Sequence, residues 1–459
     1  MSLPSAPLPQ RTRACLPQRP MLTYLLEIRA WFQTGRVYPF AVFMTLVWSL
    51  WLLRVTLGRF YRPARRHWDA TTSVVIPVVD EAEDLFSFVL GRIVAQRPTE
   101  VIVVINGPRN FGIERVCDRL GVWWYWTDVP GKRNAVRIGV EAASGEIVVL
   151  VDSDTVWASN TLVELVKPFR DPRVGGVTTR QRILDPDRSV LTRWADWLES
   201  VRSEYSMPAM SALGTVGCLP GRTIAFRRRI LLDCMGKFLQ ERFLGVFLEV
   251  SDDRALTNYT LKAGYRTVYQ STSLVYTDAP TKLWKLVKQQ YRWARGSQYN
   301  TLRMLPWMLR HAPVLAIFYL ADIVVPFVLI GAFASWVEAL ATGQKWDLYA
   351  DFPLPDVPWQ AFAITLTLAL VMTLISLAIR FGRHFAYRPG DLAYLPVFML
   401  INTTLLMPIR IFGFFRMAHN AGWGTRSHGF RGEARSSPLV VVPYVIGCSL
   451  LLGSVTLSV

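Results

Sequence analysis

The sequence predicts an α/β nucleotide-binding domain inserted between membrane-spanning helices, and three observations carry that prediction. Short β-branched runs alternate with helical stretches between residues 70 and 280. Apolar runs of membrane length lie on both sides of that block. Hydrophobic residues make up 51% of the 459 and charged ones only 19%, yet the formal net charge is +17. Such a chain is neither an ordinary soluble enzyme nor a pure transporter, and it has room for one domain of about 200 residues beside a membrane part.

Taken in order, residues 1–20 hold Pro4, Pro7, Pro9, Pro17 and Pro20 and are expected to form a disordered tail. No apolar core precedes a small-residue cleavage site, so a cleaved signal peptide is not expected. Residues 21–60 form an N-terminal membrane segment, in which 37–57 has spanning length with Arg54 near its end. Arg59, Arg62, Arg65 and Arg66 place that end in the cytosol. Arg11, Arg13, Arg19, Arg29 and Arg36 draw the other end inward as well, a conflict that eases if 21–33 lies on the membrane surface.

Within 70–280, residues 73–79, 101–105 and 147–151 read as strands buried in a parallel sheet. Helices near 82–95, 133–143 and 161–169 separate them. Two amphipathic helices are expected to join this domain to the membrane. In the first, Leu191, Trp194, Leu198, Val201 and Tyr205 recur at helical spacing. In the second, over 281–310, Leu283, Leu286, Val287 and Tyr291 form one stripe and Lys282, Lys285, Lys288, Arg292 and Arg295 another.

Residues 313–459 form a C-terminal membrane region. Runs 314–340 and 362–379 are spans; their loop carries Asp347, Asp351 and Asp356 and faces outward, and Arg380, Arg383 and Arg388 return inside. The run 392–417 has Arg-rich flanks at both ends and is too short to cross twice, since each crossing takes about 20 residues. With Asn402, Pro408 and Arg410 inside it, it reads as re-entrant or surface-lying. A cytosolic loop over 418–437 and a last span, 439–457, follow.

Excess Lys and Arg admit nucleic acid, anionic lipid or a phosphate-bearing substrate. Many of these arginines flank apolar runs, so nucleic acid is not expected, and 17 Trp suit membrane-interface positions. Five scattered cysteines contain no Cys-x-x-Cys pair, which predicts neither a zinc site nor disulfides and puts the domain in a reducing compartment.

Several residues carry chemistry. Asp152-Ser153-Asp154 follows an apolar strand; in extended geometry both carboxylates share a face and suit a divalent cation bridging to a diphosphate. Asp252-Asp253 opens a helical stretch, either as N-terminal caps or with one carboxylate as a general base. Arg292, in Gln289-Gln290-Tyr291-Arg292-Trp293, fits either lipid headgroups or charge developing on a leaving diphosphate. Asp322 and Arg410, costly in apolar runs, either line a polar path or pair with each other or with backbone.

The order acidic pair, Gln-x-x-Arg-Trp, membrane spans resembles processive glycosyltransferases of family 2, such as hyaluronan, chitin and cellulose synthases, over about residues 70–430. The resemblance implies a multi-pass plasma-membrane enzyme with a cytosolic GT-A-type domain, a UDP-sugar donor, a growing polysaccharide acceptor, lipid around it, and Mg²⁺ or Mn²⁺ held by Asp152 and Asp154. It makes Asp253 the base and puts Arg292 and Lys132, the latter in Gly131-Lys132-Arg133-Asn134-Ala135, on the donor. Glu81 and Asn106 join the nucleotide site. Trp293, Gln289 and Cys218, in Gly217-Cys218-Leu219-Pro220-Gly221, fall to the acceptor. Trp423-Gly424-Thr425-Arg426 resembles a loop that closes over the nucleotide, with Trp423 and Arg426 as its contacts.

The run Asp252-Asp253-Arg254-Ala255-Leu256-Thr257-Asn258 is closest to hyaluronan and chitin synthases. Two departures stand out. In Pro77-Val78-Val79-Asp80-Glu81 the family's Tyr and Asn are replaced, and Asn106 stands where Asp is usual, which opens the nucleotide preference. Hyaluronan-synthase-like chemistry is therefore expected. A chitin- or glucan-type homopolymer synthase, a non-processive lipid-linked enzyme, and a transporter with a degenerate domain are the rivals.

Overall fold

The computed structural model describes Thr23 and residues 39–247, 249–342, 355–419 and 437–458. The tail expected over 1–20, the surface segment over 21–33 apart from Thr23, the loop acids Asp347 and Asp351, and Trp423 and Arg426 lie outside the described residues.

An eight-stranded mixed sheet forms the centre. Its strands are β1 (Thr72–Val78), β2 (Glu100–Asn106), β3 (Trp123–Thr127), β4 (Ile147–Val151), β5 (Val156–Trp157), β6 (Val174–Ile183), β7 (Thr223–Arg227) and β10 (Arg266–Thr277), in the order β3-β2-β1-β4-β7-β6-β10-β5. A separate hairpin pairs β8 (Arg242–Phe243) with β9 (Val246–Phe247). β1, β2, β3 and β4 are mutually parallel where they pair, whereas β7 runs against both β4 and β6.

The apolar runs of β1, β2 and β4 are continuous because both sheet faces are covered. Val74, Ile76 and Val78 face one core with Val103 and Val149. Val75 faces the other with Ile102, Val104, Val148 and Leu150. Helices Glu83–Val94 and Phe111–Leu120, which link β1 to β2 and β2 to β3, put Phe86, Leu90, Ile113 and Val116 into the first core. Helix Lys132–Ala142, which links β3 to β4, puts Ala135, Val136 and Val140 into the second. The winding therefore reverses between β1 and β4, and a crevice opens beyond their carboxyl ends.

Helix Val190–Val201 begins at a Ser189 capping box and continues through a π turn, Arg202–Ser206, into Met207–Ala212. Its expected apolar stripe packs on protein: Trp194 and Trp197 are buried with Leu286, Leu377, Phe385 and Phe398. Asp196 is fully buried and accepts from Arg182 Nε (2.8 Å), Arg182 Nη2 (2.7 Å) and the Ile183 N–H (3.2 Å). Asp196→Ala leaves that guanidinium without its partner and is expected to lower stability by about 3–5 kcal/mol, read as the shift in thermal unfolding of the purified protein.

Five helices among the described residues are long and apolar enough to cross a membrane: Pro39–Gly58, Pro313–Thr342, Pro358–Arg380, Pro389–Phe415 and Pro438–Thr456. Phe40 and Phe43 of the first pack on Leu329, Ala332 and Trp336 of the second. Asp322 lies 3.6 Å from Arg54, an ion pair between these two helices, and does not partner Arg410. The Arg410 carbonyl instead accepts from Gln298 Nε2 at 2.7 Å. The run read from sequence as re-entrant or surface-lying is one continuous helical stretch, Pro389–Phe415, in which a π turn over Ile401–Leu406 takes up Asn402 just before Pro408.

Candidate active site

The crevice between β1 and β4 holds the first acidic motif. β4 stops at Val151, and the chain turns at once: the Asp152 N–H donates to the Arg222 carbonyl (3.0 Å) and the Thr155 N–H to the Asp152 carbonyl (3.0 Å). Strand alternation therefore does not set the two carboxylates, as the sequence reading assumed. They lie half-buried on a tight turn either side of Ser153, which is buried. Glu81 clamps this turn to the end of β1, accepting from the Val79 N–H (2.9 Å) and from Ser153 Oγ.

Lys132 reaches the same place from the other core face. Its Nζ lies 2.7 Å from Asp152 Oδ1 and 3.1 Å from Asp252 Oδ2. Burial alone would lower this ammonium, but the two carboxylates outweigh it and hold Lys132 above the usual lysine range. Asn106 builds the approach. Its Nδ2 donates to the carbonyls of Val129 (2.7 Å) and Gly131 (3.2 Å), and its Oδ1 accepts from the Gly131 N–H (3.1 Å). Gly131 has φ +126°, and a Cβ there would collide with the Glu249 carboxylate.

The second acidic motif opens helix Asp252–Lys262 behind Ser251, which takes a left-handed φ of +58°. Asp253 Oδ1 accepts from the Arg254 N–H (2.7 Å) and Oδ2 from the Gly221 N–H (3.1 Å). Burial, then the adjacent Asp252 charge, push Asp253 up to about 6 against the pull of Lys132 and those N–H groups. Asp252 moves the other way: Lys132 outweighs burial and lowers it. Two neighbouring carboxylates are thus split, one held ionised and one poised near neutrality, the division that acid–base chemistry needs.

Activity that needs ionised Asp253 is expected to rise with pH through about 6 and then level off. Stability runs oppositely. A folded carboxyl titrating above its unfolded value contributes fully below the ordinary aspartate range and loses that contribution as pH rises through about 6. Initial rates between pH 5 and 8 at saturating donor check the first statement.

The long helix Leu283–His311 braces this turn from behind. Tyr299 Oη donates to the Val250 carbonyl (2.7 Å), Arg254 donates to Ser297 Oγ (2.6 Å) and Thr301 Oγ1 (2.7 Å), and Asn258 Nδ2 to Asn300 Oδ1 (2.9 Å). Gly296 is small because a Cβ would strike Ser251. Sequence reasoning passed over these residues. Their signal was a second face on the helix, with Gly296, Ser297, Asn300 and Thr301 at three-to-four spacing. It also passed over a buried cluster in which Glu241 pairs with Arg133 (2.7 Å) and Arg303, while Arg133 Nη1 donates to the Phe238 carbonyl (2.6 Å).

Gln289 and Trp293 line a cavity with Trp194, Glu199, Arg222 and Leu286. The Arg222 guanidinium lies 5.8 Å from the Trp293 ring centre and is held by Gln181 and Glu199, each at 2.6 Å. Since the Arg222 carbonyl also caps Asp152, this cavity and the acidic turn share one segment. Arg292 is half-buried on the same helix. Cys218 is close enough to Asp253 that burial and then that charge push its thiol up to about 12, so it is no nucleophile. Tyr319, from helix Pro313–Thr342, packs on Gly217 beside it. Among the described residues, no group of three or more His, Cys, Asp or Glu is placed to hold a metal ion.

Residues 70–296 match the profile of a family described as glycosyltransferase like family 2. The chain is 25% identical over 389 residues to a hyaluronan synthase of Streptococcus pyogenes, covering 82% of this chain and 88% of that one. It is 27% identical over 306 residues to an N-acetylglucosaminyltransferase of Neorhizobium galegae, covering 66% of each. Among solved structures, a mannosyltransferase from Pyrobaculum calidifontis in complex with GDP-Man and Mn²⁺ superposes with a TM-score of 0.54 at 20% identity, covering 80% of this chain and 99% of that one. That likeness shows the GT-A fold. The chain is a glycosyltransferase, a hexosyltransferase whose residues 70–296 are a family 2 domain.

Proposed function

We propose that this enzyme is an inverting, processive polysaccharide synthase of the plasma membrane, with its catalytic domain on the cytosolic side, and that it extends and exports a chain from UDP-sugars by hyaluronan-synthase-like chemistry. The observation that carries the reading is Asp253: a carboxylate raised to about 6, fixed by two backbone N–H groups, beside a lysine that bridges both acidic motifs. Similarity to hyaluronan synthase over most of both chains supports the substrate class.

In this mechanism Asp253 takes the proton from the terminal hydroxyl of the acceptor. That oxygen attacks the donor's anomeric carbon as the bond to UDP breaks, so configuration inverts without a covalent intermediate. Lys132 and Arg292 stabilise the negative charge gathering on the diphosphate. Asp152 and Asp154 offer hard oxygen donors that would hold Mg²⁺ or Mn²⁺ beside the diphosphate. When bound, such a cation draws charge from the leaving group. Trp293 and Gln289, which line the cavity beside Arg222, are assigned to the acceptor's terminal sugar, and Cys218, next to Gly217, to the acceptor beyond it. Trp423 and Arg426 are assigned to closure over the donor, and the membrane-length helices to export through lipid.

Similarity to N-acetylglucosaminyltransferases favours a second reading, a homopolymer or short-chain product of one sugar. UDP release by the purified protein in lipid separates the two. UDP-N-acetylglucosamine, UDP-glucuronate and UDP-glucose are supplied singly and in pairs with Mg²⁺ or Mn²⁺. Release that requires a pair supports the first reading; release with one donor alone supports the second. Silence with every donor contradicts both.

A further inference from the structure

Asn106, which the family resemblance puts in the nucleotide site, is closed in this chain, and so is Val79, where the family's Tyr is replaced. Val79, in place of the aromatic ring, is 5% exposed, and Asn106 is 2% exposed with its amide tied to Val129 and Gly131. Val79 is apolar and the Asn106 amide is already engaged, so neither side chain reads a base edge.

Beside them stands an exposed stack. The Arg109 guanidinium lies 5.1 Å from the Phe111 ring centre and 6.0 Å from that of Trp126. Phe111 is 61% exposed and Trp126 44%. The stack is fixed from below: Trp126 Nε1 donates to the Gly107 carbonyl (3.0 Å), and Glu114 holds Arg109 Nε (2.8 Å). Phe111 opens helix Phe111–Leu120 and Trp126 lies near the end of β3, and both leave a ring face to solvent.

Their position is that of a ligand. Arg109 and Trp126 sit at the carboxyl ends of β2 and β3, the end of the sheet where Asp152 and Lys132 meet. The strands run β4, β1, β2, β3 in space, so at about 4.8 Å per strand the stack stands about 10–15 Å from the end of β4. A ribose and a diphosphate bridge that separation. The connection is continuous: Trp126 touches Gly107, its neighbour Asn106 holds Gly131, and Lys132 follows.

The geometry points to a donor site in which the nucleobase is held by stacking on Arg109, Phe111 and Trp126, with no side-chain reading of its edge, so that the enzyme selects its donor by diphosphate and sugar and discriminates weakly between bases. This rests on the nucleotide-sugar donor proposed above. Stacking is tolerant because every base offers a flat face.

The test is binding of UDP, CDP, GDP and ADP to the full-length protein in detergent with Mn²⁺, by calorimetry. The four are expected to bind within about 10-fold of one another, as sequence-tolerant stacking implies. Trp126→Ala and Phe111→Ala are expected to weaken all four by about 5- to 100-fold, the range for one lost base–aromatic stack. Trp126→Phe, which keeps a ring but loses the bond to Gly107, retains binding. Trp123→Ala, an exposed ring on the opposite face of the same strand, binds as wild type. Wild-type affinity in both alanine variants overturns the proposal. So does a preference for uracil beyond about 100-fold, which needs edge hydrogen bonds. If the wild type binds none of the four, the donor reading beneath the proposal fails instead.

Discussion

Asp253→Asn is expected to lower kcat by about 10²–10⁴-fold, the usual contribution of a positioned general base, while UDP binding persists. Asn has the shape of Asp but keeps one acceptor oxygen, so it can accept from only one of the Gly221 and Arg254 N–H groups. It removes the capacity to take a proton at the cost of one backbone hydrogen bond. The helix behind it stays anchored, since Thr257 Oγ1 receives the Leu219 N–H (3.1 Å) and donates to the Asp253 carbonyl (2.7 Å) whatever the side chain. Single-turnover transfer and UDP titration, run on the same preparation, separate chemistry from binding. Sustained polymer synthesis by the variant would remove Asp253 from the mechanism.

Lys132→Met carries the second large effect. Lys132 Nζ lies within bonding distance of both Asp152 and Asp252, and it offsets the burial of both acidic motifs. Without it the two carboxylates face each other unpaired, and a loss of about 3 kcal/mol in stability follows from breaking such a pair. Asp253 loses the main group drawing it downward, so the acid limb of the rate profile moves to higher pH than wild type. The diphosphate loses a contact at the same time. A fall of about 100-fold in kcat/KM is expected, in the range of one lost charge-stabilising donor. Lys132→Arg, which keeps the charge, should leave the acid limb near its wild-type position. A methionine variant with an unshifted limb would show that Lys132 does not act on Asp253.

Much of the domain was legible because its signals are local. β1, β2 and β4 are runs that only a sheet covered on both faces can bury, and their observed bounds fall within one residue of the expected ones. β3 was missed because Trp123-Trp124-Tyr125-Trp126 reads as surface aromatics rather than a β-branched run, which is what an edge strand with exposed rings looks like. The expected helix over 161–169 splits at Pro168 into Thr161–Val166 and a 3₁₀ turn. Antiparallel β7 could not be placed, since its partners β4 and β6 are set by tertiary packing alone.

At the site, residue types were legible and partnerships were not. Asp152, Asp252, Asp253 and Lys132 were each singled out, yet nothing in their spacing says that one lysine bridges two acids 100 residues apart in sequence. Asn106 shows the limit from the other side: its motif position suggested a nucleotide contact, and nothing in that position showed that its amide also holds the Gly131 turn. Arg254 was read as part of a motif, whereas its guanidinium fastens helix Asp252–Lys262 to Ser297 and Thr301. Long-range bonds of this kind depend on how helices dock, which local pattern does not encode.

A processive synthase adds many sugars to one chain before letting it go. Product size at the earliest measurable times tests this most directly, with purified protein in vesicles, radiolabelled UDP-sugars and donor in large excess over enzyme. The account predicts long polymer from the first time points, with chain number fixed by the amount of enzyme and chain length growing with time. Products that begin short and lengthen together, with many more chains than enzyme molecules, would contradict it.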